Sequence, residues 1–217
     1  MYFNIHTHHS AQDTDYTVAV SSLYSDFALA SSGRLCSLGL HPWYLENHVQ
    51  LLQELKKYAG LANVLAIGEC GLDKLCHTNW NLQLAVFREQ IVLADTLCKP
   101  LIIHCVRASD ELIKIVDEQR PTVPVIVHGF NNKGGIAEKL INNGMYLSFG
   151  AAILNHDSPA AHGLRNIPAE KFFLETDNAD VAIGDIYRAA AALRNVTEEE
   201  VILQVQHNFT AVFNYQK

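Results

Sequence analysis

Short apolar runs alternate with amphipathic stretches along the whole chain. The runs are rich in Val, Ile, Leu and Phe and lack alternating polar residues, which is typical of strands buried on both faces of a sheet. We predict eight such strands, of which the second has the weakest pattern: 3–6, 17–20, 35–40, 64–69, 101–106, 123–128, 146–150 and 171–176. Helical periodicity covers the stretches 46–58, 79–97, 134–143 and 197–213.

Strands that alternate with helices predict parallel strands joined by right-handed crossovers. Eight of them predict an α/β protein with a closed TIM-type (β/α)8 barrel, although such barrels typically need about 250 residues and this chain has 217. The shortage is local, since about ten residues separate the first two predicted strands, too few for a helical crossover. We therefore expect an incomplete first βα unit, and a barrel with seven complete units stays an alternative. Without a linker or repeat, residues 1–217 are expected to form a single barrel domain.

Composition and charge exclude several classes of protein. A hydrophobic fraction of 49% with only 12 Gly and 6 Pro excludes a disordered or collagen-like chain. No apolar stretch has the length of a membrane span and the first residues lack the pattern of a signal peptide, so we expect a cytoplasmic protein with no membrane partner. The net charge of −7 disfavours a protein that coats nucleic acid by charge alone. The five cysteines lack a C-x-x-C pair and are expected to be reduced.

Side chains that commonly bind metal ions lie at the carboxyl ends of the predicted strands. Parallel strands of a barrel bring their carboxyl ends to one mouth, where the active sites of such enzymes lie. Four imidazoles and two carboxylates are expected to meet there: His6, His8, Glu69, His104, His128 and Asp177. Imidazole with carboxylate suits Zn²⁺, Mn²⁺ or a similar divalent ion, and six ligands suffice for two ions that share a carboxylate.

Each of these residues also has a structural interpretation. A lone His after a strand is often a core residue, and Glu69 or Asp177 would serve as a helix N-cap. Packing alone, however, gives no reason to put such residues at the ends of five buried strands, since burial without a partner is costly. The joint pattern therefore favours metal binding.

Other histidines and two cysteines are expected to lie outside the ligand set. His41 ends the third strand at the same mouth, where it is a candidate substrate contact or part of a rigid turn at Pro42. Strand alternation directs His9 away from the His6–His8 pair and directs the cysteines beside two ligands, Cys70 and Cys105, into the packing. The remaining five are expected on the solvated surface: His48, His77, His156, His162 and His207.

Six motifs, taken in order, resemble the TatD family of metal-dependent hydrolases. They are F-N-I-H-T-H at 3–8, G-L-H-P at 39–42, A-I-G-E-C-G-L-D at 66–73, I-I-H-C at 102–105, V-H-G-F at 127–130 and L-E-T-D at 174–177. The resemblance implies a two-metal site. In it His6, His8, Glu69 and Asp177 hold one ion, and Glu69, His104 and His128 hold the other. It also implies phosphodiester hydrolysis, with DNA cleavage the activity usually attached to the family.

The chain departs from the family pattern without changing a ligand position. Asn4 replaces an Asp, and Val106 occupies a basic position, with Arg107 one residue later. Asn131-Asn132-Lys133 occupy a turn that is usually small and rich in hydroxyls, and residues 178–181 replace Pro-Tyr-Leu. We expect these changes to lie on the substrate side, so that they affect which substrate is bound rather than metal binding.

The predicted chemistry is hydrolysis by a hydroxide that two divalent cations (Zn, Mn or Mg) activate, because bound cations lower the pKa of water towards about 7. Asp177 is the predicted general base, Glu69 is the shared catalytic carboxylate, and His41, Arg107 and Lys133 are candidate substrate contacts. The expected partner is a strand end or a small phosphoester. An amide, lactone or other ester hydrolase and a non-catalytic metal-binding barrel are the two alternatives.

Overall fold

The strands form one eight-stranded sheet in chain order. The computed structural model describes residues 1–9 and 16–215. Strands follow one another as neighbours from first to last. They are β1 (Tyr2–Thr7), β2 (Thr17–Leu23), β3 (Cys36–Leu38), β4 (Val64–Asp73), β5 (Leu101–Val106), β6 (Val125–Val127), β7 (Tyr146–Phe149) and β8 (Phe172–Leu174).

Helices follow the strands from β3 onward. The α-helices are α1 (His48–Tyr58), α2 (Trp80–Leu97), α3 (Ser109–Gln119), α4 (Ile136–Asn142), α5 (Pro159–Asn166), α6 (Ile183–Arg194) and α7 (Glu198–Phe213). Short 3₁₀ helices occupy Phe27–Ser32, Ala151–Leu154 and Ala169–Lys171. Within 1–9 and 16–215, no helix combines the length and the apolar character that crossing a bilayer requires.

The chain divides into two compact units. The terminal unit comprises Met1–Ser21 and Val127–Lys217, and the central unit comprises Ser22–Ile126. The single domain over 1–217 stays a prediction.

In the terminal unit the first strand meets the last. Thr7 and Asp177 form a parallel bridge, in which the Asp177 N–H donates to the His6 carbonyl at 3.0 Å and the His8 N–H donates to the Asp177 carbonyl at 3.1 Å. The strand order together with this junction of β1 and β8 confirms the predicted TIM-type barrel. The junction also sets His6, His8 and Asp177 side by side.

Helices α6 and α7 hold β1 of the terminal unit in place. The Tyr187 hydroxyl of α6 accepts from the Phe3 N–H at 2.9 Å and donates to the Phe3 carbonyl at 3.0 Å. The Phe3 ring packs on Phe209 of α7 with 4.8 Å between ring centroids. The predicted capping box at the start of α7 is present, since Thr197 and Glu200 each accept the backbone N–H of the other.

In the central unit glycines allow β3, β4 and β5 to approach closely. A Cβ atom on Gly39 would lie 2.6 Å from the Glu69 carbonyl oxygen, and one on Gly68 would lie 2.4 Å from the Ile102 carbonyl oxygen. Real Cβ atoms do not come so near to backbone, so only glycine fits at these two positions. The buried Gln90 side chain of α2 accepts from the Leu40 N–H at 2.7 Å and donates to the Leu40 carbonyl at 3.2 Å, which fixes the chain beside His41.

All eight predicted strands are confirmed, with one informative change of boundary. The 17–20 segment is a full strand, β2. The strand predicted over 64–69 continues to Asp73, so Glu69 lies inside β4 rather than at its end. Helix α4 starts at Ile136, two residues late, because Gly135 before it has φ 75°. The connection between β1 and β2, where an incomplete βα unit is predicted, lies largely at 10–15, outside the described residues. The next connection, from β2 to β3, contains only the 3₁₀ helix Phe27–Ser32.

Candidate metal centre

Two imidazoles and a carboxylate of the terminal unit form one group of possible ligands. His6 lies within β1 and His8 follows the strand, and their ring centroids are 4.9 Å apart. Asp177 Oδ1 lies 3.8 Å from His6 Nε2 and 3.5 Å from His8 Nε2. One ligand atom from each residue lies within 4.8 Å of the others, which is close enough for one cation to be held by all three.

His128 also lies beside His6. Its ring centroid lies 4.3 Å from that of His6, and its Nδ1 lies 3.2 Å from Glu175 Oε1. The same Oε1 accepts from the Gly129 N–H at 2.7 Å, while Oε2 accepts from the Ser148 hydroxyl. A carboxylate that accepts Nδ1–H fixes the tautomer and leaves the Nε2 lone pair of His128 for a cation.

Glu175 is a fully buried carboxylate that keeps its charge. Burial acts to raise the pKa of the Glu175 carboxyl, but the two neighbouring imidazoles, His128 and His6, and the hydrogen bonds from His128 and Ser148 outweigh it, and the pKa lies below its ordinary value. Sequence reasoning missed this role. The only signal was the place of Glu175 in the L-E-T-D motif.

A network of buried polar side chains supports the ligands at the β1–β8 junction. Asn4 and Thr176 bond reciprocally: Asn4 Nδ2 donates to Thr176 Oγ1 at 2.8 Å, and the Thr176 N–H donates to Asn4 Oδ1 at 3.0 Å. Thr176 Oγ1 also donates to Thr7 Oγ1 at 3.1 Å. The expectation that Asn4 lies on the substrate side is therefore wrong, because its amide is buried in the frame that joins the two strands.

Glu69 of β4 is the centre of a second group, in the central unit. It is buried, and its Oε1 lies 3.1 Å from His41 Nε2 and 2.9 Å from His104 Nδ1. His41, Glu69 and His104 each offer a ligand atom within 4.8 Å of the others. The predicted ligands Glu69 and His104 thus lie together, and so does His41, which was predicted to contact substrate.

Hydrogen bonds distinguish the roles of the two imidazoles beside Glu69. The Trp43 backbone N–H donates to His41 Nδ1 at 3.1 Å, so His41 carries its proton on Nε2 and donates it to Glu69. His104 Nε2 lies 3.0 Å from Asp73 Oδ2. With the proton on that nitrogen, His104 Nδ1 faces Glu69 with a lone pair. His104 and Glu69 therefore fit a cation between them, whereas His41 orients the carboxylate.

Asp73 is the second carboxylate that sequence reasoning missed. It ends β4, and its Oδ2 also accepts from the Trp43 indole N–H at 2.7 Å. Burial acts to raise the pKa of the Asp73 carboxyl, but the hydrogen bonds from Trp43 and His104 outweigh it and hold the pKa below its ordinary value. Its signal in the sequence was the last position of the A-I-G-E-C-G-L-D motif.

The other candidate residues are not members of these groups. Arg107 and Lys133 are exposed in loops after β5 and β6, and neither is among the ligand groups described here. His9 is exposed, as expected, and so are His77, His156, His162 and His207, whereas His48 is half-buried with its Nδ1 3.0 Å from the Leu45 carbonyl oxygen. Cys70 is buried and Cys105 half-buried, and burial raises the pKa of the Cys105 thiol to about 11, as suits cysteines used in packing.

Imidazole–carboxylate groups at the mouth of a (β/α)8 barrel are typical of metal-dependent hydrolases. A family model described as "TatD related DNase" matches residues 16–214. The chain belongs to this family of metal-dependent hydrolases, which confirms the resemblance carried by the motifs.

Three similar proteins illustrate the relationship. An "Uncharacterized metal-dependent hydrolase" of Buchnera aphidicola subsp. Baizongia pistaciae is 31% identical over 196 residues, which are 83% of this chain and 74% of that protein. The human "3'-5' RNA nuclease TATDN2" is 34% identical over 152 residues, 65% of this chain but 19% of that much longer protein. The crystal structure of YJJV, a TatD homologue from Escherichia coli K12, has a TM-score of 0.84 at 21% identity and covers 99% of this chain and 98% of its own. This last likeness concerns the fold.

Proposed function

We propose that this protein is a divalent-metal-dependent phosphodiesterase that cleaves nucleic acid at or near strand ends. The observation that carries the proposal is the presence of two imidazole–carboxylate groups, one in each compact unit: His6, His8 and Asp177, and His41, Glu69 and His104. Membership of the TatD-related DNase family and the similarity to a protein named as an RNA nuclease favour a phosphodiester substrate.

The proposed ligands are the six that the sequence suggested: His6, His8, Glu69, His104, His128 and Asp177. The donor chemistry fits divalent cations such as Zn²⁺ or Mn²⁺, because all six offer imidazole nitrogen or carboxylate oxygen. The proposal keeps Glu69 as the carboxylate shared by both cations. His41 and Asp73 act as positioning residues, the first on Glu69 and the second on His104.

Asp177 is the proposed general base. When bound, divalent cations make water more acidic and withdraw charge from the phosphoryl group. The Asp177 side chain is 39% exposed, so its carboxylate reaches both solvent and the His6–His8 pair and is placed to take a proton from attacking water. Glu175, which is fully buried, has no such access and acts through His128.

The negative net charge of the protein limits its affinity for the phosphates of nucleic acid. A net charge of −7 provides no long basic track, so few phosphates are neutralised and affinity for duplex is low. Arg107 and Lys133, the two exposed cations in loops after β5 and β6, are the proposed phosphate contacts. These features favour a short single-stranded end over a long duplex.

The test combines metal content with a panel of substrates. The purified protein is loaded with Mn²⁺ or Zn²⁺, its metal content per chain is measured, and end-labelled single-stranded oligonucleotides are followed on sequencing gels beside ester, amide and lactone substrates. The variants are Glu69→Gln and Asp177→Asn, with Asp180→Asn as the matched control, because Asp180 is an exposed acid in the same loop as Asp177.

We expect the wild type and the control to bind metal and shorten the oligonucleotide. Asp177→Asn is expected to lose at least 100-fold in rate, since general acid–base catalysis contributes about 10²–10⁴-fold. Glu69→Gln is expected to lose activity together with bound metal, because it removes a ligand. Turnover of ester or amide but not of oligonucleotide by the metal-loaded protein would overturn the proposal in favour of the amidohydrolase alternative. Full metal loading with no turnover at all would favour the non-catalytic barrel.

A further inference from the structure

Three exposed aromatic rings lie together at the carboxyl end of β2 and β3 in the central unit. Tyr24 follows β2, and Trp43 and Tyr44 follow β3. Their exposed fractions are 39%, 49% and 44%. We call Tyr24, Trp43 and Tyr44 the aromatic platform.

The platform is an ordered arrangement of rings. Tyr24 and Tyr44 are stacked, with centroids 5.0 Å apart and an interplanar angle of 25°. Trp43 stands at 73° to Tyr44 with centroids 6.3 Å apart, and its indole N–H is fixed by Asp73. Leaving three large rings in water is unfavourable, and exposed apolar groups of this kind mark binding sites.

The platform is directly joined to the proposed metal ligands. His41 contacts two of its members, with ring centroids 5.2 Å from Trp43 and 5.7 Å from Tyr44. The Trp43 ring lies 6.1 Å from that of His104. A flat group held on the platform would therefore lie next to the carboxylate and imidazole of Glu69 and His104.

A cleft of about 610 Å³ opens beside Trp43, and its lining includes Glu46, His77, Thr78 and Asn79. This volume is in the range of small-molecule sites. The lining supplies carboxylate, imidazole, hydroxyl and amide groups, which hydrogen-bond to the edge of a planar heterocycle. Trp43 is the member of the platform that lines this cleft, so polar groups lie beside one of its three rings.

We propose that the aromatic platform binds an unpaired nucleobase of the substrate strand by stacking. The inference rests on the proposed nucleic-acid substrate and specifies how that substrate is held. Because the net charge of −7 disfavours binding through phosphates, base stacking, which is available to every base in a single strand, supplies the affinity instead. The platform thus selects single-stranded over duplex ends.

Trp43 provides an optical probe of this binding. The chain has two tryptophans, Trp43 and Trp80, so Trp80→Phe leaves Trp43 as the only fluorescent indole. This protein, without added metal, is titrated with single-stranded oligothymidylate and with an abasic sugar-phosphate strand of equal length. We expect quenching by the first and none by the second, with a shallow dependence on salt.

Variants test the contribution of each ring on the same background. Tyr44→Ala is expected to weaken oligothymidylate binding about 5- to 140-fold, the range for loss of one stacked base. Tyr16→Ala is the matched control, because Tyr16 is 77% exposed but precedes β2 and so lies at the other end of that strand. It is expected to bind like the parent protein.

The outcomes separate this inference from the proposed function. Equal quenching by the abasic strand, or unchanged affinity in Tyr44→Ala, would overturn the aromatic platform even if the metal-loaded protein cleaves DNA. Base-dependent quenching in a protein that cleaves no phosphodiester would support the platform and overturn the nuclease proposal. A steep loss of binding with salt would show that phosphates carry the affinity and would overturn the inference.

Discussion

The buried carboxylate of Glu175 offers the sharpest test of how the terminal unit prepares a metal ligand. In Glu175→Gln one carboxylate oxygen becomes an amide nitrogen. Oε1 accepts from both His128 and Gly129, whereas Oε2 accepts from the Ser148 hydroxyl, which can turn and accept instead. The amide oxygen therefore takes the Oε1 position, so that every hydrogen bond is kept and only the charge is lost.

The size of the effect follows from this loss of charge. A hydrogen bond to a charged group contributes about 1.5–3 kcal/mol, and one between neutral groups contributes about 0.5–1.5 kcal/mol. The bond that orients His128 is thus weakened by about 1–1.5 kcal/mol, which predicts a loss of about 5- to 12-fold in cation affinity. This lies at the lower end of the range for changes to groups that support metal ligands.

The assay is titration calorimetry of the metal-free protein with Mn²⁺, beside urea unfolding of the same samples. Glu199→Gln is the control, since Glu199 is an exposed acid in the first turn of α7. Wild-type cation affinity in a folded Glu175→Gln protein would refute the reasoning, because it would show that the carboxylate supports the fold without acting on the ligand.

Two further predictions concern the fold. Tyr187→Phe leaves a buried N–H and a buried carbonyl of Phe3 unsatisfied, so the free energy of unfolding in urea should fall by at least about 2 kcal/mol. Tyr44→Phe, in a ring that is 44% exposed, should leave it unchanged. Burial raises the pKa of the Cys36 and Cys105 thiols to about 11, so both stay protonated at pH 8. They should resist Ellman's reagent until the protein unfolds. Cys98, which is exposed, should react at once. Rapid reaction of all five thiols in the folded protein would contradict the burial described here.

The sequence predicted the strands well because a strand buried on both faces is a continuous apolar run, and such a run is visible in the local sequence. It failed at the end of β4, where the polar Glu69 was taken as the last residue of the strand. Glu69 stays buried inside the strand because His41 donates to its carboxylate, and such a partner is distant in the chain.

The metal ligands could be predicted because each lies in a sequence motif. The residues that support them could not, because their roles depend on hydrogen bonds to residues distant in the chain. Glu175 bonds to His128, 47 residues away, and Asp73 bonds to Trp43, 30 residues away. Neither pair leaves a periodicity or a spacing that a single sequence reveals. Asn4 was misplaced for the same reason, because its partner Thr176 is 172 residues distant.

At the junction of β1 and β8, the main chain and the side chain of Asp177 have different roles. Its main chain joins the two strands through the His6 carbonyl and the His8 N–H, while its side chain is left to the ligand group. The residue has φ 50°, a conformation that Asn tolerates well. Replacing the acid by Asn therefore removes a proton acceptor but keeps the main-chain hydrogen bonds that join β1 to β8. The resulting protein is folded and slow, and is suited to capturing its natural substrate intact from a cell extract.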